Sequence, residues 1–388
     1  MMRRVCIIRQ TPYPWQKNVR RNAETLVGAG YYVDVICLGR EGEKRRETMN
    51  GVNLHRIFLR RHRESVWGYL FDYAAFFTLA ALKLAWLSLR KRYHVVEVDT
   101  IPDFLVFITL LPRLLGSKVI LYMYENMPAL FTSSFKTGPD HIVARFLRLM
   151  EKLSASYAHH VIVSDGPPYK KILENHGIPS DKITVILNVP DDKIFDPQAI
   201  SVSEDSHHFR IVVVSSLLRR YGVETVIRAM PLLLQYIPEL RVDIIGDGEY
   251  RPVLERMARE LKVDGHLNFA GWIRHDDVPG YIARAHVCVA PMNEDVGAPN
   301  KLFEYFALGK PAVASALPGL TAMFDGNCIM YFRPGDEKDL AARILELYRS
   351  PEKRASLGSC GQNLYRQYQW SVLKQEYLKV YSELVRQT

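Results

Sequence analysis

Residues 298–315 read "APNKLFEYFALGKPAVAS" and place an acid, Glu304, one helical turn after a cation, Lys301, in an otherwise apolar run. Pro299 and Asn300 open a helix, and unpaired N–H groups at a helix start can hold an anion. Glu304 either complements the helix dipole, worth about 0.3–1 kcal/mol, or accepts hydrogen bonds from hydroxyls such as a ribose diol. Upstream, "SSLLRRYG" (215–222) sets Arg219 and Arg220 between a strand end and a helix, where guanidinium groups suit a bidentate grip on phosphate. Solvated surface arginines are the plain alternative. "IGDGE" (245–249) ends a strand in Gly246, Asp247 and Gly248, a turn that lets a ligand approach the backbone but that also closes ordinary strands. It is neither a dinucleotide fingerprint nor a phosphate loop of the Walker type.

The surrounding pattern must position these groups. "RVCIIRQ", "YYVDVICL", "HVVEVD", "KVILYMY", "HVIVS" and "KITVILN" read as buried strands separated by helical stretches. Residues 189–209 are polar and without period, as in an interdomain linker. The alternation then restarts with "RIVVVSS", "LRVDIIGDGE", "LNFAGW", "HVCVAP" and "PAVASA". The expected fold is α/β: two doubly wound, Rossmann-like domains facing a cleft, residues 1–188 and 210–367, with a final helix in 368–388.

Composition supports a globular chain: 388 residues, 48% hydrophobic and 24% charged. The five cysteines include no CxxC pair, and the expectation is reduced, buried thiols in a cytosolic protein. The N-terminus turns polar too soon for a signal peptide. A net charge of +9 asks for an anionic partner. Nucleic acid is set aside, because no helix-turn-helix spacing or aromatic-plus-basic strand motif is present. Between the basic clusters "LRRHRE" and "LRKR" lies "YAAFFTLAALKLAWLSL" (73–89), short of a spanning helix and interrupted by Lys83. It is either a core helix or an interfacial helix drawn to anionic lipid.

Taken together, "PNKLFEYFALGKPAVAS", "SSLLRRYGVETVIRAM", "VDIIGDGEYRPVLE" and "LNFAGWI" resemble the retaining family-4 glycosyltransferases of GT-B fold. "NVRRNAETLVGAGYYVDVICLG" and "HVIVSDGPPYKKILENHGIPSDKITVILNVPDDKIF" resemble that family's acceptor-side domain. The resemblance implies a nucleotide-diphosphate-sugar donor bound by the second domain, transfer with retention, and usually no metal or other cofactor. It assigns Glu304 to the ribose, and Asn300, Lys301, Leu302 and Phe303 to the helix start facing the diphosphate. Arg219 or Arg220 becomes the phosphate anchor, and Trp272 with Ile273 the place where the base packs. The last helix, after about Tyr368, is expected to cross back to the first domain.

Two positions depart from the pattern. The family's first glutamate falls at Val296, which Glu294 or Asp295 would have to replace. Its first-domain histidine is Tyr124, followed by Glu125; tyrosine donates a hydrogen bond but is a poor base at neutral pH. The expected catalytic set is therefore Tyr124, Glu125, Arg219 and Arg220. The expected acceptor is a glycan or polyprenyl-linked saccharide in surface-polysaccharide assembly, met in the cytoplasm or peripherally at the inner face of the membrane. The rivals are a catalytically impaired donor-binding scaffold and, less fittingly, a GT-B epimerase or phosphorylase; no lysine is marked for pyridoxal phosphate.

Overall fold

The computed structural model describes residues 2–14, 17–59, 66–135, 137–138, 140–200, 207–295 and 300–387. Val296 and Pro299, on which two expectations rest, lie outside them. The chain divides into two compact units, residues 1–188 with 372–388, and residues 189–371.

The first unit carries eight strands: β1 (Arg4–Pro12), β2 (Tyr32–Leu38), β3 (Arg46–Met49), β4 (Val52–Ile57), β5 (Val95–Asp99), β6 (Lys118–Met123), β7 (His160–Val163) and β8 (Ile183–Val185). Their order is β3-β4-β2-β1-β5-β6-β7-β8, parallel throughout except for the β3/β4 pair. That antiparallel edge was not expected: the strongly basic "EKRRETM" carries no apolar alternation, and pairing with β4 alone makes Arg46–Met49 a strand. Val5, Cys6, Ile7 and Ile8 are fully buried, as a strand covered on both faces requires.

The helices of this unit are α1 (Lys17–Gly28), α2 (Val66–Lys91), α3 (Leu110–Leu114), α4 (Met127–Phe135), α5 (Ile142–Tyr157) and α6 (Pro167–Asn175). In α2, longer than the 73–89 expected, Phe76, Ala80, Leu84 and Leu87 are buried at helical spacing. The helix is thus a core element on one face, and Leu79, Leu82 and Leu89 on the other are exposed. From Phe71 to Lys91 it is also long and apolar enough to cross a membrane. The final helix, Trp370–Arg386, packs with this unit: the Tyr377 and Tyr381 hydroxyls donate to Glu97 at 3.1 and 2.7 Å.

The second unit has six parallel strands, β9 (Phe209–Val214), β10 (Leu240–Ile245), β11 (Leu267–Gly271), β12 (Val287–Ala290), β13 (Ala312–Ser315) and β14 (Ile329–Phe332), in the order β11-β10-β9-β12-β13-β14. Residues 189–200, expected as linker, belong to it. Asp192 accepts hydrogen bonds from the Tyr365 hydroxyl and the Ser371 backbone at 3.0 and 2.9 Å, so this polar run is a fixed strap.

The cysteine expectation needs correction. Cys6, Cys37 and Cys288 are free and buried, but Cys328 and Cys360 form a disulfide, with Cα atoms 5.0 Å apart. The helix Pro351–Tyr365 brings Cys360 to the start of β14. A separation of 32 residues without a motif concealed the pair, and cysteine usage no longer argues for a reducing compartment.

Candidate functional site

Each sheet has one place where the chain, having extended the sheet to one side, returns to extend the other: β1/β5 in the first unit and β9/β12 in the second. Ligands of such sheets bind at the carboxyl ends of the strands at these switch points. Arg220, Lys301 and the predicted glycines meet at the second of these, Tyr124 and Glu125 line a pocket at the first, and Trp272 with Ile273 lies after the edge strand β11.

In the second unit, three strand-end loops are held together by glycine. Gly222 has φ +65°, and a Cβ there would stand 1.9 Å from the Pro291 carbonyl oxygen. Gly246, at φ +134°, would put its Cβ 1.9 Å from the Ser215 carbonyl oxygen. Gly248 similarly crowds the Leu217 carbonyl oxygen, at 2.4 Å. The "GDG" turn therefore exists so that the loops after β9 and β10 can touch; Leu217 N–H donates to the Asp247 carbonyl at 3.0 Å. Asn293, which the sequence reading missed, joins the loop after β12 to the arginines: its N–H donates to the Arg220 carbonyl at 2.9 Å and its side-chain amide to Glu224 at 3.0 Å.

The cations converge on one ring. Arg219, Arg220 and Tyr221 form a single 3-10 turn. Arg219 is exposed and Arg220 half-buried. The Arg220 guanidinium lies 5.1 Å from the Tyr221 ring centroid, and the Lys301 ammonium 4.9 Å from the same ring. Lys301 also donates to Ser215 Oγ at 3.1 Å, tying the helix Asn300–Ala307 to the end of β9. Burial pushes the Lys301 ammonium down to about 8, against the pull of neighbouring Glu304. Glu304 is itself buried, 4% exposed. An ammonium so placed gains by meeting an anion, with a buried carboxylate beside it.

Leu302 and Phe303 face the other way. Both are fully buried, and Phe303 packs on Phe324 and Tyr368 at 5.6 and 5.5 Å between centroids, so only their backbone faces the helix start. Ile273 is half-buried, and Trp272 is 68% exposed just beyond Gly271, whose carbonyl accepts from Gly246 N–H at 2.9 Å. Glu294 is half-buried and Asp295 exposed; the Asp295 carboxylate accepts from Gly319 N–H at 2.7 Å.

In the first unit a pocket of about 190 Å³ opens at the β1/β5 switch point, lined by Arg9, Gln10, Thr11, Asp72, Tyr124 and Glu125 among others. A register shift in β1 between Ile8 and Pro12 turns Arg9–Thr11 out of the ladder. Tyr124 directly follows β6; its ring stacks on Tyr122 at 4.3 Å, lies 4.2 Å from the Arg9 guanidinium, and its hydroxyl accepts from Asn22 at 3.3 Å. Burial pushes the Tyr124 phenol well up, so it acts as a neutral hydrogen-bonding group and not as a base. Beneath it Arg9 Nη1 stands 3.6 Å from Asp99 Oδ2. Burial raises Asp99 to about 7, with Arg9 opposing, and raises Glu97 well above the ordinary range. Arg9, Glu97 and Asp99 were not singled out from sequence. The signal was present in "VEVD", where two acids interrupt a strand that a parallel sheet buries on both faces. Among the described residues, no cluster of three or more His, Cys, Asp or Glu has the geometry to hold a metal.

Comparisons with known proteins agree with this architecture. Residues 16–188 match the model of the glycosyl transferase 4-like domain, and residues 208–350 that of glycosyl transferases group 1. An uncharacterised glycosyltransferase of Methanocaldococcus jannaschii is 25% identical over 92% of this chain and 91% of its own. The GDP-mannose-dependent alpha-(1-6)-phosphatidylinositol monomannoside mannosyltransferase of Mycolicibacterium smegmatis is 29% identical over 39% of this chain and 42% of its own. The phosphatidylinositol N-acetylglucosaminyltransferase gpi3 subunit of Schizosaccharomyces pombe is 23% identical over 60% of this chain; there too the match spans only half of the relative, 50%. Among solved structures, sucrose-phosphate synthase of Thermosynechococcus elongatus superposes with a TM-score of 0.78 at 18% identity, over 100% of both chains. HepE of Anabaena, in complex with UDP, gives 0.73 at 15% identity over 98% of this chain and 100% of its own. With both halves matched in succession and the whole fold shared, the chain belongs to the group 1, family-4 glycosyltransferases of GT-B fold.

Proposed function

We propose that this chain transfers a sugar from a nucleoside-diphosphate sugar to a glycan or lipid-linked saccharide, with retention of configuration. The observation that carries the reading is the meeting of Arg220 and Lys301 around Tyr221, with Glu304 one turn behind, at a glycine-closed switch point. Arg220, Lys301 and the N–H groups at the start of Asn300–Ala307 receive the diphosphate, and Glu304 accepts hydrogen bonds from the ribose hydroxyls. The base packs on Trp272 and Ile273.

The bond from the anomeric carbon to the departing phosphate oxygen breaks as the acceptor hydroxyl bonds to that carbon. The hydroxyl proton passes to the departing oxygen on the same face of the sugar. Cations aimed at the growing phosphate charge lower the barrier; one such donor is typically worth about 2.7–4 kcal/mol. In this reading the chain's own cations meet that charge without a metal. In the first unit Tyr124 donates a hydrogen bond and Glu125 accepts one from the acceptor. Relatives named for phosphatidylinositol acceptors support a lipid-linked acceptor, and with it work at the inner face of the cell membrane. The solved UDP complex of HepE, which shares this fold, supports a nucleoside-diphosphate donor.

Calorimetric titration with UDP, GDP and ADP tests the donor site. One nucleotide is expected to bind, and Glu304→Ala to weaken it about tenfold or more, as for a hydrogen-bonded charged group. If none of the three binds, the site has lost its donor and the scaffold reading replaces this one.

A further inference from the structure

Helix α5 is built inside out. The side chains it buries are Ala144, Glu151, Ser154 and Ala155, small or polar. The side chains it exposes are Ile142 (79%), Phe146 (55%), Leu149 (51%) and Leu153 (44%), spaced four, three and four residues apart along one stripe. The buried Glu151 is matched within the fold, accepting from the Tyr169 hydroxyl at 2.9 Å and lying 3.1 Å from His176 Nδ1. The helix is therefore seated by small and polar side chains, and its apolar stripe is turned to solvent.

This stripe does not stand alone. The 3-10 turn Asp103–Thr109 packs against both α2 and α5, and α3 packs against α2, so the three helices cover one side of the first sheet. Among the described residues, thirteen of the twenty-one exposed large apolar side chains lie on α2, on α5, or on α3 and its last turn. Basic residues flank them. Arg145, Arg148 and Lys152 alternate with the α5 stripe. On α2, Trp86 is ringed by Arg90, Arg46 and Lys83 at 4.0, 5.2 and 5.3 Å.

We propose that the α2–α3–α5 face docks on an anionic lipid bilayer, with the α5 stripe entering the interface beside α2. An apolar stripe rimmed by Lys and Arg, with a tryptophan among cations, fits a surface that is apolar below and negative above. A second copy of the same face would set those cations against one another. The first turns of α2 also place Asp72 and Tyr73 in the lining of the first-unit pocket. An acceptor whose saccharide occupies that pocket and whose lipid anchor stays in the bilayer would run along α2. That use rests on the proposed transfer reaction; the docking does not.

Flotation with vesicles of phosphatidylcholine alone, and with phosphatidylglycerol added, tests it on the full chain. The native protein is expected to float with the anionic vesicles, and less as salt is raised. Phe146→Ser with Leu149→Ser, both exposed, is expected to lower vesicle affinity about tenfold or more while the melting temperature and nucleotide titration stay unchanged. Arg145→Glu with Lys152→Glu should do the same without removing apolar surface. Native protein that floats with neither vesicle overturns the inference. So do variants that float as well as the native chain, and so does a native dimer that the serine pair dissociates without any flotation. Flotation together with no nucleotide binding leaves the docking standing and removes the transfer reading.

Discussion

The two switch points answer opposite chemical demands. In the second unit the carboxyl ends of β9, β10 and β12 are stitched by glycine turns and surrounded by cations, Arg220 and Lys301, that face a common ring. In the first unit the same place in the topology holds Glu97 and Asp99, both fully buried, under two tyrosines of the last helix and one guanidinium. One edge gains by admitting an anion. The other keeps its own carboxylates out of water and offers neutral groups and single charges to the pocket above. A shared fold thus sets where the ligands go, and local side chains set what their charge must be.

The largest expected effect is on the first edge. Arg9→Met leaves Asp99 buried without its cation and should cost about 3–5 kcal/mol in denaturant unfolding. Arg9→Met combined with Asp99→Asn should recover most of that loss. If the double variant is as unstable as the single one, the pair is not what holds this edge.

At the second edge, Gly246→Ala forces a Cβ to 1.9 Å from the Ser215 carbonyl in a left-handed conformation. We expect about 2–4 kcal/mol of destabilisation and a severe loss of nucleotide affinity, against little change for Gly265→Ala, which has open space around it. Equal tolerance at both positions would deny the glycine stitching any role.

A smaller effect separates the edges by pH. Lys301, lowered to about 8, must be charged to meet a diphosphate. Nucleotide affinity should then fall by up to about tenfold per pH unit above 8, with a proton taken up on binding, seen as a buffer-dependent heat. Lys301→Arg should flatten the profile. The first edge moves in the other sense of charge. Glu97 is raised, as are Asp99 and Glu151 to about 7 and Asp103 to about 8, mainly by burial. Groups whose folded pKa lies above the unfolded value lend stability that is complete in acid and lost as pH rises through the folded pKa. The melting temperature should therefore fall between pH 6 and pH 9, and Asp103→Asn should lessen the fall. A flat profile would show that these carboxylates are already compensated.

Much of this was legible in the chain. Strand-length apolar runs separated by helical stretches specify two doubly wound sheets, because only burial on both faces accommodates such runs. The spacing of Asn300, Lys301 and Glu304 foretold a helix start with one cation and one acid. The motif "SSLLRRYG" likewise marked a cationic turn, although which arginine turns inward depends on the single 3-10 turn that ends at Gly222. Other features had no local signature. The β3/β4 edge, the Cys328–Cys360 bond and the strap through Asp192 all join residues whose own neighbourhoods look like ordinary surface.

Periodicity by itself determined the layers of this protein, since burial of a strand or a helix face is written residue by residue in the chain. Tertiary structure alone decided which polar groups those layers enclose. Glu97 is tolerable inside a strand because Tyr377 and Tyr381, about 280 positions away in sequence, bring two hydroxyls to it. Glu151 makes the same point: it turns inward to Tyr169 and His176 and leaves the apolar side of α5 facing out. Desolvating a carboxylate costs several kcal/mol unless partners meet it, and those partners come from elements that no local pattern connects.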